Sequence, residues 1–155
     1  MKIIVDSNIV FSAILNSQGK IGQLIINGSK HFELFTVGLL KVEILNHKTK
    51  ILSISGLTPQ QFDKSFKTIT DRINFVDEIL ISDNDIQKAL DLVSVIDEND
   101  TLFVALTNHL NAKLWTGDKK LVSGLKKKGY TKTISTDDLH LLFLEKQIKT
   151  KKRLK

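Results

Sequence analysis

Lys2-Ile3-Ile4-Val5-Asp6-Ser7-Asn8 opens the chain with an apolar, β-branched run that stops at an acid followed by two cap-forming residues. Val and Ile favour extended backbone, whereas Asp, Ser and Asn favour the start of a helix. The stretch predicts a short strand that turns directly into a helix, with Asp6 at the junction. The same alternation continues outward. A helical stretch after Asn8 is expected to close on Gly28, residues 32–37 read as a second strand, and Gly38 leads into a helix through Leu45. Thr58-Pro59-Gln60-Gln61 has the form of a capping box with proline at the first helical position, opening a long helix toward Val76. Residues 78–81 read as a strand, and Ser82 as the cap of a helix through Val93. Periodicity makes 100–110 helical. Residues 113–116 are extended, 118–128 form a helix ended by Gly129, and 132–134 form a last short strand before a helix capped by Ser135 or Thr136.

Strands alternating with helices of this length predict an α/β fold, a three-layer α/β/α sandwich with a central parallel sheet. The 155 residues contain one proline and no internal repeat, so one domain over 1–144 is expected, followed by a basic tail over 145–155. Hydrophobic residues make up 41% and charged ones 26%, enough apolar material for a core. The absence of cysteine excludes disulfides and cysteine-ligated zinc. Met1-Lys2 is followed by only three apolar residues before Asp6, and no apolar run approaches the ~20 residues a membrane span needs. A soluble, cytoplasmic protein is expected. The net charge of +6 is concentrated at the end: six lysines or arginines fall within 146–155, and the rest of the chain balances at seventeen of each sign. Such a tail either meets phosphates or forms a solvated terminus.

In an open parallel sheet, ligands bind beyond the carboxyl ends of the strands. Asp6 and Asp118 fall there, Asp100 opens a helix, and Glu43 lies inside another. Each aspartate also fits as an ordinary helix N-cap. Glu43 shares a helix stripe with Leu39 and Leu40, which puts it either on the inward side, where a carboxylate is costly unless paired or bound to a cation, or at the stripe's border reaching solvent or a lysine. Asp97-Glu98-Asn99-Asp100 packs three acids into four residues. Such acids raise one another's pKa unless a cation neutralises them, and hard oxygen ligands suit Mg²⁺ or Mn²⁺. Asn8 is expected to orient the Asp6 carboxylate, and Asp97 to support Asp100. The Thr116 hydroxyl is expected to meet a metal-bound water or a phosphate. Lys119 and Lys120 either reach substrate phosphates or form a solvated helix face. Aromatics are only 6%, and no ladder for base stacking is visible.

Val5-Asp6-Ser7-Asn8-Ile9-Val10 resembles the opening signature of PIN domains. Asp100-Thr101-Leu102-Phe103-Val104-Ala105-Leu106 resembles their third motif and Thr116-Gly117-Asp118 their fourth, with Glu43 where the family's second acid is expected. The resemblance runs to about Phe143 and is closest to the stand-alone prokaryotic toxins of toxin–antitoxin pairs. It implies a cleft in which Asp6, Glu43, Asp100 and Asp118 are catalytic and bind Mg²⁺ or Mn²⁺. It also implies hydrolysis of single-stranded RNA, homodimerisation and a cognate antitoxin. Thr107 departs from the alanine common there, and the basic tail lies outside the pattern. Two competitors remain. A haloacid-dehalogenase-type phosphatase would want a second aspartate where Asn8 stands. A PIN fold without catalysis would bind RNA or a protein partner.

Overall fold

The structure, a computed structural model, describes residues 1–94 and 96–153. Five strands form one parallel sheet: β1 (Lys2–Val5), β2 (Glu33–Val37), β3 (Asn74–Val76), β4 (Lys113–Trp115) and β5 (Thr133–Ile134). Their order is β3-β2-β1-β4-β5, so β1 is central and lies between β2 and β4. Between them run α1 (Ser7–Leu15), α2 (Lys20–Gly28), α3 (Leu39–Asn46), α4 (Lys48–Ser55), α5 (Pro59–Thr70), α6 (Asp83–Val93), α7 (Thr101–His109), α8 (Lys119–Lys127) and α9 (Thr136–Arg153). Helices α1, α2, α5 and α9 pack together, while α7 lies over β1, β2 and β4 and α6 packs against both α7 and α8. Right-handed crossovers put these two groups on opposite faces, which gives the three-layer α/β/α sandwich. Ile3, Ile4 and Val5 of β1 are fully buried, as a central strand covered on both faces requires.

Several boundaries differ from the sequence expectation, each for a physical reason. The stretch from Asn8 to Gly28 is two helices bent by 104°, because the chain breaks at Asn16 and re-enters helix at Lys20. Gly28 is simply the last helical residue; positive φ among the glycines occurs at Gly56 and Gly129. The capping box at Thr58 forms on both sides, but α5 stops at Thr70 and the strand follows at once as β3. Residues 78–80 form a 3₁₀ turn instead of the expected strand. Asp77 caps that turn, and Glu78 turns outward to accept the Leu39 N–H at 2.5 Å. Ile79 and Leu80, which mimic a strand by composition, are 84% and 64% exposed. Helix α4 had no counterpart in the sequence reading. Five of the six terminal basic residues extend α9 as far as Arg153, with the Lys146 ammonium over the Phe32 ring; Lys155 lies outside the described residues. Among the described residues no single helix is long and apolar enough to cross a membrane.

Candidate active site

The parallel register pairs Val5 with Trp115, so β1 and β4 end side by side. The Asp6 N–H continues that ladder to the Trp115 carbonyl at 3.1 Å. One residue further, each strand delivers a polar side chain to the same edge, Asp6 from β1 and Thr116 from β4. Strand order reverses direction here, with β2 on one side of β1 and β4 on the other. That is where open α/β sheets form their ligand crevices.

Asp6 is almost fully buried, at 2% exposure, yet both its oxygens are held. Oδ1 accepts the Ser7 N–H at 2.8 Å as the cap of α1, and Oδ2 accepts the Thr116 hydroxyl at 2.7 Å. Thr116 Oγ1 in turn accepts the Asp118 N–H at 3.1 Å. The Asp118 carboxylate caps α8 by accepting the Leu121 N–H at 3.0 Å. The cap and ligand readings of these aspartates are therefore compatible, because each cap bond leaves carboxylate lone pairs over. Thr116 takes the orienting role expected of Asn8. The Asn8 side chain is exposed and makes no hydrogen bond among the described residues.

Asp100 comes to the cluster at the start of α7, and its side chain does not cap that helix. Its Oδ2 is buried with no hydrogen-bond partner among the described residues. Burial, then the charges of Asp6, Asp97 and Asp118, lift its carboxyl to about 7. Burial also raises Asp6, opposed by its hydrogen bonds from Thr116 and Ser7 and reinforced by the charge of Asp118. These mutual effects bring Asp6, Asp97, Asp100 and Asp118 into one electrostatic neighbourhood. Asp97 stands at its rim, exposed, capping the 3₁₀ turn of residues 98–100 by accepting the Asn99 N–H at 2.9 Å.

That acidic loop is braced by a contact the sequence reading missed. A Cβ at Gly124 of α8 would lie 2.5 Å from Ile96 Cδ1 and 2.8 Å from Cγ1. The missing side chain lets the loop carrying Asp97 and Asp100 lie against the helix that Asp118 caps.

Glu43 falls elsewhere than expected. The inward face of α3 is formed by Leu40 and Ile44, while Leu39 and Glu43 are exposed. Glu43 is not among the charges that shift Asp6 or Asp100. Lys119 and Lys120 are exposed on the first turn of α8, directly after Asp118.

A profile of the PIN domain matches residues 4–145, which includes all of these acids. The chain belongs to the PIN domain family. Among solved structures, VapBC2 from Rickettsia felis, bound to a DNA fragment from its promoter, contains a chain with the same fold. The match has a TM-score of 0.61 at 16% identity and covers 87% of this PIN domain chain and 97% of the other. No curated protein matches the chain significantly.

The PIN domain residues were tested against the ion the family implies. Among the described residues, no three carboxylates or imidazoles close into a ready-made cage. The donor set nevertheless fits a divalent cation that keeps several waters, because Mg²⁺-type ions need only one or two direct carboxylates. Asp100 Oδ2 is the strongest sign: a buried, unpartnered carboxylate oxygen among like charges is costly until a cation arrives.

Proposed function

We propose that this PIN domain is a metal-dependent endoribonuclease that hydrolyses phosphodiester bonds of single-stranded RNA, and that it is the toxin of a toxin–antitoxin pair. The observation that carries this reading is the cluster of Asp6, Asp100 and Asp118 at the β1–β4 crevice, with the orphaned Asp100 oxygen inside it. These three aspartates would hold Mg²⁺ or Mn²⁺. A bound divalent ion supplies positive charge for the attacking and leaving oxygens of a phosphodiester.

The protein's own part is positional. Thr116 fixes Asp6 and the backbone of Asp118 as one unit, so two ligands are set before any ion binds. Asp97 keeps the field at Asp100 negative. Glu43, exposed on α3 beyond the carboxyl end of β2, suits the orientation of the attacking water better than a direct bond to the ion. Lys119 and Lys120 would hold substrate phosphates.

The toxin assignment rests on the family and on the fold shared with VapBC2. Leu39, Val42, Leu45 and Ile54 are exposed on α3 and α4, an apolar face that supports a protein partner, whether antitoxin or second copy.

The test is cleavage of RNA oligonucleotides by purified protein with Mn²⁺, Mg²⁺ or EDTA, beside Asp6→Asn prepared identically. Metal-dependent cleavage that vanishes in a folded Asp6→Asn supports the assignment. Equal activity in both indicates contamination or a misplaced site. Growth arrest on expressing wild type but not Asp6→Asn tests the toxin role.

A further inference from the structure

Beside the acids, a concavity of about 600 Å³ opens between the start of α8 and the start of α9. It shares Thr116 with the acid cluster, so whatever lies in it is a neighbour of whatever binds Asp6. One wall is a face of α8 carrying Lys119 and Lys126. Seven residues separate them, two helical turns or about 10 Å along the axis, so both ammonium groups border the same hollow. Among the described residues neither pairs with a carboxylate. The other wall is Ser135 and Thr136. Ser135 Oγ accepts the Asp138 N–H at 3.1 Å, and Thr136 Oγ1 accepts the Trp115 indole N–H at 3.0 Å. With an acceptor position of each hydroxyl engaged, each has its own proton left to donate. The single acid on the lining, Asp137, is bound by Lys20 at 2.7 Å. Cations on one wall and hydroxyl donors on the other, with the acid paired, favour an anion.

A concavity of equal volume near the amino end of β5, at the other end of the strands, makes the contrast. It is lined by Lys88 and Lys132 but also by Asp85 and Asp91, a mixed surface with no preference of sign.

From this donor set we infer that the α8–α9 hollow is a subsite for the RNA nucleotide next to the scissile bond, its phosphate held by Lys119, Lys126 and the hydroxyls of Ser135 and Thr136. The inference rests on the ribonuclease reading and adds the side of the crevice along which the chain runs. A hollow of this size takes a nucleotide, whereas the lysines alone would suit any polyanion.

The experiment is binding of a fluorescent single-stranded RNA oligonucleotide in EDTA, with cleavage in Mn²⁺ measured in parallel. Lys119→Ala/Lys126→Ala is compared with wild type and with Lys88→Ala/Lys132→Ala, which removes the same charge at the other end of the strands. The α8 pair is expected to lose about tenfold in affinity near 0.1 M salt and to flatten the dependence of log affinity on log salt by about 1.4. KM should rise with kcat little changed, and the Lys88/Lys132 pair should behave as wild type. Thr136→Val, which leaves the charge intact, should weaken binding without altering the salt slope. Normal cleavage with the α8 pair binding as wild type does overturns the subsite alone. Equal weakening by both lysine pairs also overturns it, since charge without place would then suffice. Wild type that neither binds nor cuts RNA overturns the ribonuclease reading and the subsite together.

Discussion

Thr116 donates its hydroxyl proton to Asp6 Oδ2 at 2.7 Å although 110 residues separate them in the chain. Thr116 Oγ1 also accepts the Asp118 N–H, so one threonine ties together the ends of β1 and β4 and both of their aspartates.

Thr116→Val is expected to destabilise the fold by about 1–3 kcal/mol, because it leaves a buried carboxylate oxygen and a backbone N–H unpaired. Loss of that donor also raises the Asp6 pKa further, so the acid limb of any pH–rate profile should move to higher pH. Thr116→Ser should restore both. Urea unfolding and the pH profile measure the two effects, and an unchanged profile would place Thr116 outside the chemistry.

Asp100 gives a pH signature in metal-free protein. Its folded pKa of about 7 lies above the unfolded value of 3.8, so the folded state binds the proton more tightly. Its stabilising contribution is fully present below the unfolded value, declines as pH rises, and is gone above about 7. Against Asp100→Asn, which cannot titrate, the melting temperature of wild type should therefore fall between pH 4 and 7 in EDTA. Saturating Mn²⁺ should remove that slope. Parallel curves for the two proteins would show that Asp100 titrates normally.

Metal should stabilise selectively. An ion that binds only the folded site stabilises it, so on the proposed function Mn²⁺ should raise the melting temperature of wild type more than that of Asp100→Asn or Asp6→Asn. Glu43→Gln should keep most of the shift while losing cleavage by about 100-fold, if it aligns water as a general base does. A Glu43→Gln protein that no longer responds to Mn²⁺ would instead make Glu43 a ligand.

Asp118 caps α8 and, on the proposed function, also binds metal, two roles that substitution separates. Asparagine still caps a helix, so Asp118→Asn should fold normally and lose metal binding, whereas Asp118→Ala should lose in addition about 1 kcal/mol of capping. Circular dichroism melting in EDTA distinguishes the two.

Gly124→Ala tests the bracing of the acidic loop. Alanine improves helix propensity by up to ~1 kcal/mol, but its Cβ drives into Ile96, and overpacking costs about 1–3 kcal/mol. Activity should fall more than stability, because the displaced segment carries Asp100. Ile96→Ala in the same chain should recover it, and failure of that rescue would leave the steric account unsupported.

The parts of the site legible in the sequence were those tied to strand ends. Asp6 and Asp118 could be placed because each follows a short β-branched or apolar run, and strand ends converge in a parallel sheet. Asn8 misled because nearness in sequence stood in for nearness in space. The partner of Asp6 is Thr116, visible only once β1 and β4 pair. Glu43 was a candidate for the inward side because Leu39 looked like core, yet Leu39 is 49% exposed and the buried stripe runs through Leu40 and Ile44. Residues 78–81 read as a strand because Ile79, Leu80 and Ile81 have strand composition, while the real strand begins four residues earlier, with Asn74. Whether an apolar run is buried depends on what covers it, and composition does not carry that. Gly124 is invisible for a similar reason: its meaning is the side chain of Ile96.

The central position of β1 has a consequence for the life of the chain on the ribosome. Asp6 is made well before its partner strand β4, and its neighbours Asp100, Thr116 and Asp118 follow far later in the chain. A nascent chain ending before Asp118 can build β1 beside β2 yet has no assembled cluster of acids. A chain that stops before Asp118 therefore carries most of the sheet and an incomplete centre. On the proposed function, cleavage can begin only after the chain has grown past Asp118.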